Sequence, residues 1–515
     1  MRDDLFQLIS SLTKSEKRYF TLHASMHRKD TRHLLLFRAI EKQKEYDEDA
    51  LRLLFRENGF TEQLSVAKNY LYRMIMKVLR SYHSEISQNA QVKDLLRDAE
   101  ILMMRGLHSQ SRKMLAKAGD IATANNFHFY LMEINYWKKQ LLYWRDTANV
   151  SSENLESQYD ELYEEAERLI NEMSMMNTSR HTFSRLKNHG PLHDPEILEK
   201  LRHSIPEDIR NGAAPADVSY ITRMNFLYAR LNYLHVTCDF PEHHRGSLEF
   251  IELAENSTWR DSESTNHLLC GLDMLLDNLM STGRYVEASE VVERFRKVGS
   301  GMRNTSHAPS PLQFVGRYSE YRLKIDAGLG DFSTAHARIP DILKNIEAGG
   351  GSMDEELFYP LRYAIGLVCF GTGDFHAALR WIEPLLNYGP GDPTSNWNGW
   401  YSVTRMLQLL LHYEIGNADV LDYMLKSYYR FLLRKQYPYQ TEELLLRFLK
   451  RVLRATDQTE IQHELKELSA ELRAIYHNPF ERQIFSSLDI LAWTESRIHG
   501  RPLAEVLREL VVDGR

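Results

Sequence analysis

The chain has 515 residues, of which 43% are hydrophobic, 26% charged and 11% aromatic, the mix of an ordinary folded protein and neither a disordered nor a fibrous one. A formal charge of −7 over this length gives no bulk attraction to nucleic acid, and no stretch approaches the roughly eighteen unbroken apolar residues of a membrane helix. Cys238, Cys270 and Cys369 are too few and too scattered for a disulfide framework or a thiolate metal site, and Met1-Arg2-Asp3-Asp4 opens without the charge and apolar run of a secretory signal, so the expectation is a cytoplasmic protein in a reducing compartment.

Strand signals are nearly absent, whereas Leu, Ala, Glu, Lys and Met recur at three-to-four spacing almost throughout. The predicted fold class is all-α, an N-terminal helical bundle followed by an α-solenoid of helical hairpins. Residues 1–85 form the bundle. Thr13 and Glu16 carry a capping-box signature ahead of Tyr19, Phe20 and Leu22. Two short helices follow over 32–44 and 48–56, the second closing at Asn58-Gly59, and a longer one opens at Ser65 and runs to about Tyr82. This segment holds 16 Lys/Arg against 12 Asp/Glu, a balance of +4 that leaves −11 for the rest of the chain.

The hairpins begin near residue 90, with Gly106 at the first elbow, and fill 90–515. Helices are expected over 127–145 and 153–176, the second acidic at Glu161, Glu164, Glu165 and Glu167. Residues 177–216 contain Asn188-His189-Gly190-Pro191, Asp194-Pro195 and Gly212 to Pro215, and are expected to be the least regular part of the chain. Exposed loops are expected at 299–311, at Gly349-Gly350-Gly351 and at Gly389-Pro390-Gly391.

A turn signature recurs in this region. Gly283-Arg284-Tyr285 is followed by Ala288, Gly330-Asp331-Phe332 by Ala335, and Gly373-Asp374-Phe375 by Ala378. Cys238-Asp239-Phe240 is a worn copy, and Gly416-Asn417 keeps the glycine without the aromatic. Successive elbows lie 45, 47, 43 and 43 residues apart. Each elbow joins two apolar-periodic stretches, which is how a solenoid of helical hairpins is written. At the end of the chain, Ile484, Leu488, Leu491, Ala492 and Ile498 form one apolar stripe and Leu503, Val506, Leu507 and Leu510 a second, so 479–512 is expected to be a capping hairpin packed on the helices around 445–453 or 461–475.

Residues 359–392 carry a resemblance to the tetratricopeptide-repeat superfamily. Gly366 is the small residue inside the first helix, Gly373-Asp374-Phe375 makes the turn, Ala378 packs in the second helix and Pro390 closes the unit. The other units match chiefly at the turn, and the spacing exceeds the family's period of about 34 residues. As a whole the chain also resembles a bacterial group of helical proteins that open with an LTKSEKRYF-like segment. The repeat resemblance implies a non-enzymatic scaffold holding a protein or peptide on the first helices of its hairpins. The inner-face candidates it implies are Asp273, Asp277, Arg317, Glu320, Tyr321, Lys324, Tyr363 and Tyr413. Of these, Arg317, Glu320, Tyr321 and Lys324 share a helix face by spacing alone.

Chemical motifs are otherwise missing. His189 and His193 stand at i, i+4 across Gly190-Pro191, which forbids a helix, and Glu242-His243-His244 has no distant partner of matching type. Phosphate loops, nucleophile elbows and paired CxxC knuckles do not occur, so no catalytic residue, metal or cofactor is expected. One alternative to the scaffold comes from the last bundle helix. There Arg73, Lys77 and Arg80 lie opposite the apolar Ala67, Leu71, Met74, Ile75, Val78 and Tyr82, as in a helix-turn-helix-like module whose final helix enters a nucleic-acid groove.

Overall fold

The computed structural model describes residues 4–26, 31–43, 46–56, 64–83, 88–125, 127–145, 152–189, 195–212, 218–256, 262–301, 311–349, 358–387, 397–433 and 438–512. Among the described residues 88% are helical and none is in a strand. The helices divide into two compact units, Met1–Leu169 and Ile170–Arg515.

In the first unit α1 (Asp4–Ser11), α2 (Lys14–Met26), α3 (Thr31–Glu41), α4 (Glu48–Arg56) and α5 (Leu64–His83) enclose one core, with Ile9, Phe20, Phe37, Ile40, Leu71 and Ile75 buried together. The start of α2 is fixed by the capping box: Glu16 N–H donates to Thr13 Oγ1 at 3.2 Å and Thr13 N–H donates back to Glu16 Oε2 at 2.7 Å. Burial would raise the Glu16 carboxyl, but these bonds to Thr13, with His83 behind them, hold it below the usual range. A second core joins α6 (Gln88–Met104), α7 (His108–Ala124) and α8 (His128–Arg145) around Val92, Leu115, Ala118 and Ile134. The Gly106 elbow between α6 and α7 has φ 73°.

Helix α9 (Ser152–His189) carries the boundary between the units and runs 13 residues beyond the expected end. The breakers that made 177–216 look irregular begin only at Asn188, and before them the hydroxyls bond back along the helix, Thr178 to Ser174 O, Ser179 to Met176 O and Thr182 to Ser179 O. Two further helices, α10 (Pro195–Ser204) and α11 (Glu207–Asn211), occupy more of that stretch. Gly190-Pro191, His193 and Asp194, the loops at 302–310 and 350–357, Asn58-Gly59 and Pro390 lie outside the described residues.

The second unit then proceeds by pairs: α12 (Tyr220–Val236) with α13 (Phe240–Glu255), α14 (Ser262–Ser281) with α15 (Tyr285–Ser300), α16 (Pro311–Gly328) with α17 (Phe332–Ala348), α18 (Tyr359–Thr372) with α19 (Phe375–Asn387), α20 (Trp397–Ile415) with α21 (Ala418–Leu432), and α22 (Gln440–Val452) with α23 (Gln458–Ile475). Contacts run mainly between neighbours in sequence, as in a solenoid.

Three short helices close the chain: α24 (Pro479–Ser487), α25 (Ile490–His499) and α26 (Leu503–Val512). The apolar stripe expected to be unbroken from Ile484 to Ile498 is cut at Leu488, which is extended at φ −151°, ψ 100°. Asp489 restarts the helix by accepting from Ala492 N–H at 2.8 Å. Of the three, α25 packs on α23, while α24 lies against α14 and α22.

Candidate binding surface

Four elbows of the second unit share one backbone construction. Gly283, Gly330, Gly373 and Gly416 have φ between 70° and 83°, left-handed values that cost a Cβ-bearing residue and glycine nothing. The next N–H reaches back to the carbonyl five residues earlier: Arg284 to Leu279 at 2.8 Å, Asp331 to Asp326 at 2.8 Å, Asp374 to Cys369 at 3.0 Å and Asn417 to His412 at 3.0 Å. The aspartate after the glycine then caps the second helix, Asp331 accepting from Thr334 N–H and Asp374 from Ala377 N–H. Ala288, Ala335 and Ala378 are fully buried where the paired helices meet.

The elbow aromatics have seats that the sequence reading did not identify. A Cβ at Gly328 would strike the Tyr285 ring, and one at Gly371 the Phe332 ring. Each seat stands two residues before the next elbow, in Gly328-Leu329-Gly330 and Gly371-Thr372-Gly373, so the Gly-x-Gly spacing was the available signal. Gly366 serves the hairpin itself, since a Cβ there would meet Ile382 Cγ2 at 2.5 Å. Phe375 is half-buried and packs on Phe370, with ring centroids 5.9 Å apart.

Six of the eight inner-face candidates come together across α14 and α16. Arg317 Nε donates to Asp273 Oδ1 at 2.8 Å, and its other nitrogens reach Asp277 at 3.3 Å and Glu320 at 3.0 Å. Tyr321, fully buried, has its hydroxyl 2.8 Å from Asp273 and 3.0 Å from Asp277, with one proton for the two carboxylates, while Lys324 donates to Glu320 at 2.6 Å. Asp273, Asp277 and Arg317 remain 34%, 36% and 34% exposed, so this recess opens to solvent at those three side chains. It is nevertheless deep. Burial pushes the Asp277 carboxyl up to about 6 against the pull of Arg317, with repulsion from Asp273 and Glu320 adding to the rise. Burial would also raise Glu320, but Lys324 and Arg317 outweigh it and hold that carboxyl below its usual range.

Tyr363 and Tyr413 lie elsewhere, under the chain's own C-terminal helices. Tyr363 is fully buried and donates to Ser487 O at 3.1 Å. Tyr413 is half-buried, edge-on to Trp493 and Phe448 with centroids 5.7 and 5.9 Å away. The same covering continues along the elbows. Arg482 donates to Thr282 O at 2.9 Å, Gln483 to Cys238 Sγ at 3.7 Å, and Arg508 to Gly330 O at 2.9 Å. Trp493 and Arg497 both bind Glu414, at 2.6 and 2.7 Å. A cavity of about 70 Å³ remains between α26 and the hairpins, lined by Tyr285, Phe332, Phe370, Phe485 and Leu507 among others.

In the first unit, Arg73, Lys77 and Arg80 are all exposed on α5. Glu242, His243 and His244 do not form a cluster with a metal-ligand geometry. His243 is buried beside His235, His244 faces Arg284, and no group of three or more ligating side chains occurs among the described residues. No helix among them is long and apolar enough to cross a membrane. The architecture of sequential packed helix pairs is that of a helical repeat, yet no protein-family model matches the chain and none of the curated proteins matches it either.

Proposed function

We propose that the second unit is a degenerate tetratricopeptide-like array that works without catalysis, holding a protein or peptide on the face made by α14 and α16. The observation that carries this reading is the Asp273–Arg317–Asp277 ladder. Its groups come from successive hairpins, are cross-bonded so that their geometry is set in advance, and are still one-third exposed. Charged groups ordered before a partner arrives lose little entropy on binding and reward only a partner of matching charge. The cluster holds three carboxylates, Asp273, Asp277 and Glu320, against two cations, Arg317 and Lys324, which favours a partner segment with basic side chains.

The test is affinity capture with the full chain and with the Asp273→Asn, Asp277→Asn double variant, which keeps side-chain size while removing two charges. A partner of this face is retained by the parent chain, released by salt and lost at least tenfold in the variant. A partner captured equally by both chains would assign binding to another surface, and the absence of any reproducible partner would remove the scaffold reading.

A further inference from the structure

Helix α5 carries five basic side chains, Lys68, Arg73, Lys77, Arg80 and His83, and no acidic one. Two of the five already have carboxylate partners: Lys68 Nζ lies 2.8 Å from Glu48, and His83 Nε2 lies 2.7 Å from Glu16. The other three are exposed, and among the described residues none of them makes an ion pair or a hydrogen bond. They share their face with Val66, Asn69 and Tyr70, opposite the buried Leu64, Leu71, Ile75 and Val78. Val66 and Tyr70 are 68% and 49% exposed, and the Tyr70 ring is held in place against His33 at 4.4 Å. From Asn69 to Arg80 the face is about 16 Å long at the usual helical rise.

This is a surface of one sign, with an amide and a guanidinium one turn apart at Asn69 and Arg73 and two further cations continuing the line. We propose that α5 docks in the major groove of duplex DNA, with Asn69 and Arg73 toward base edges and Lys77 and Arg80 on phosphates. Asn and Arg are the side chains whose donor pairs match adenine and guanine edges, and a helix fits a groove about 12 Å wide. The deep, narrow major groove of A-form RNA does not admit one. The bound state adds counter-charges for three cations that have none among the described residues. The proposal concerns the first unit and stands independently of the reading given for the second.

Two phosphate contacts predict a slope of log K against log salt of about −1.8, and so binding about twelve-fold weaker at 200 mM than at 50 mM salt. The experiment is fluorescence anisotropy of a labelled 25-base-pair random-sequence DNA duplex titrated with the full chain across that range. Anionic phosphatidylglycerol vesicles and a duplex RNA of the same length serve as competitors. The expected result is micromolar, salt-dependent binding to DNA that neither competitor displaces at equal phosphate concentration. The Arg73→Ala, Lys77→Ala, Arg80→Ala variant should lose at least tenfold in affinity and most of the slope, with an unchanged melting temperature because all three side chains are exposed. The Asn69→Ala variant should keep the slope. No binding at 50 mM salt, an unchanged slope in the triple variant, or equal displacement by RNA or vesicles would each overturn the proposal.

Discussion

Cys238 holds φ 55°, a value that every other described residue with positive φ reaches as a glycine. It stands at the elbow position occupied by Gly283, Gly330, Gly373 and Gly416 in the later hairpins, and its backbone bond from Asp239 N–H to Leu234 O at 2.9 Å is the same one they make. A left-handed cysteine costs roughly 1–2 kcal/mol relative to glycine. Cys238→Gly is therefore expected to stabilise the second unit by about 1 kcal/mol, the buried thiol and its Gln483 contact offsetting part of the gain, as read from the urea midpoint. Five residues on, where the Gly283, Gly330 and Gly373 elbows bury an alanine, this one buries His243 beside His235. Burial, reinforced for His243 by the neighbouring histidines, pushes the two imidazoles down to about 3 and about 4. The unfolded chain takes up protons near 6.5 that the folded chain refuses, so this contribution to stability is full above about pH 6.5 and is lost as pH falls toward 4. Asp277, whose folded value is raised, works in the opposite direction between about pH 4 and 6. His243→Ala should flatten the acid limb of the stability curve. Equal loss of stability between pH 7 and 4.5 in parent and variant would contradict the assignment.

At the scale of elements, the elbow glycines separate two kinds of constraint. Gly373 has φ 83° with nothing within 4 Å of an added Cβ, so Gly373→Ala meets backbone strain alone, about 1 kcal/mol. Gly330 has φ 70° and its added Cβ would collide with the Ala504 carbonyl of α26, so Gly330→Ala should cost clearly more, and equal midpoints for the two variants would mean that α26 is not seated there. Glu481 makes a second link from the C-terminal helices. Buried at 1% exposure, it accepts from Gln440 N–H at 2.9 Å, from Thr441 N–H at 3.2 Å and from the Thr441 hydroxyl at 2.7 Å, capping α22 from another helix. Glu481→Ala should destabilise by about 2 kcal/mol, at the upper end for a lost cap because the donors are buried.

These elements also show what could be read in advance. Turns were legible because glycine, aspartate and aromatic act through local backbone geometry, and the Arg317 face because helical spacing alone places i, i+3, i+4 and i+7 together. Gly328 and Gly371 were not recognised as seats, since their roles depend on rings from the preceding hairpin. The break at Leu488-Asp489 was hidden because an apolar stripe reads the same whether one helix or two carry it. Tyr363 is apolar-faced and correctly spaced for an inner surface, and nothing local in the sequence says that Ser487, 124 residues later, covers it.

At the scale of the whole molecule, the two units have separate proposed tasks. The first unit presents a helix with three exposed cations that have no partner among the described residues, and the second is a sequential array whose last helices return to its earlier elbows. That return joins Gln483 to Cys238 across 245 residues, Arg482 to Thr282 across 200 and Arg508 to Gly330 across 178. An array with only neighbour contacts would melt in stages, whereas long-range closure couples distant hairpins. Hydrogen exchange followed by mass spectrometry, comparing the full chain with one ending at His499, tests this most directly. The account predicts faster exchange at 327–334 and 367–375, where α26 rests, as well as in α25. Faster exchange confined to residues 458–499 would show that the C-terminal helices pack only on their neighbours in sequence, and would contradict it.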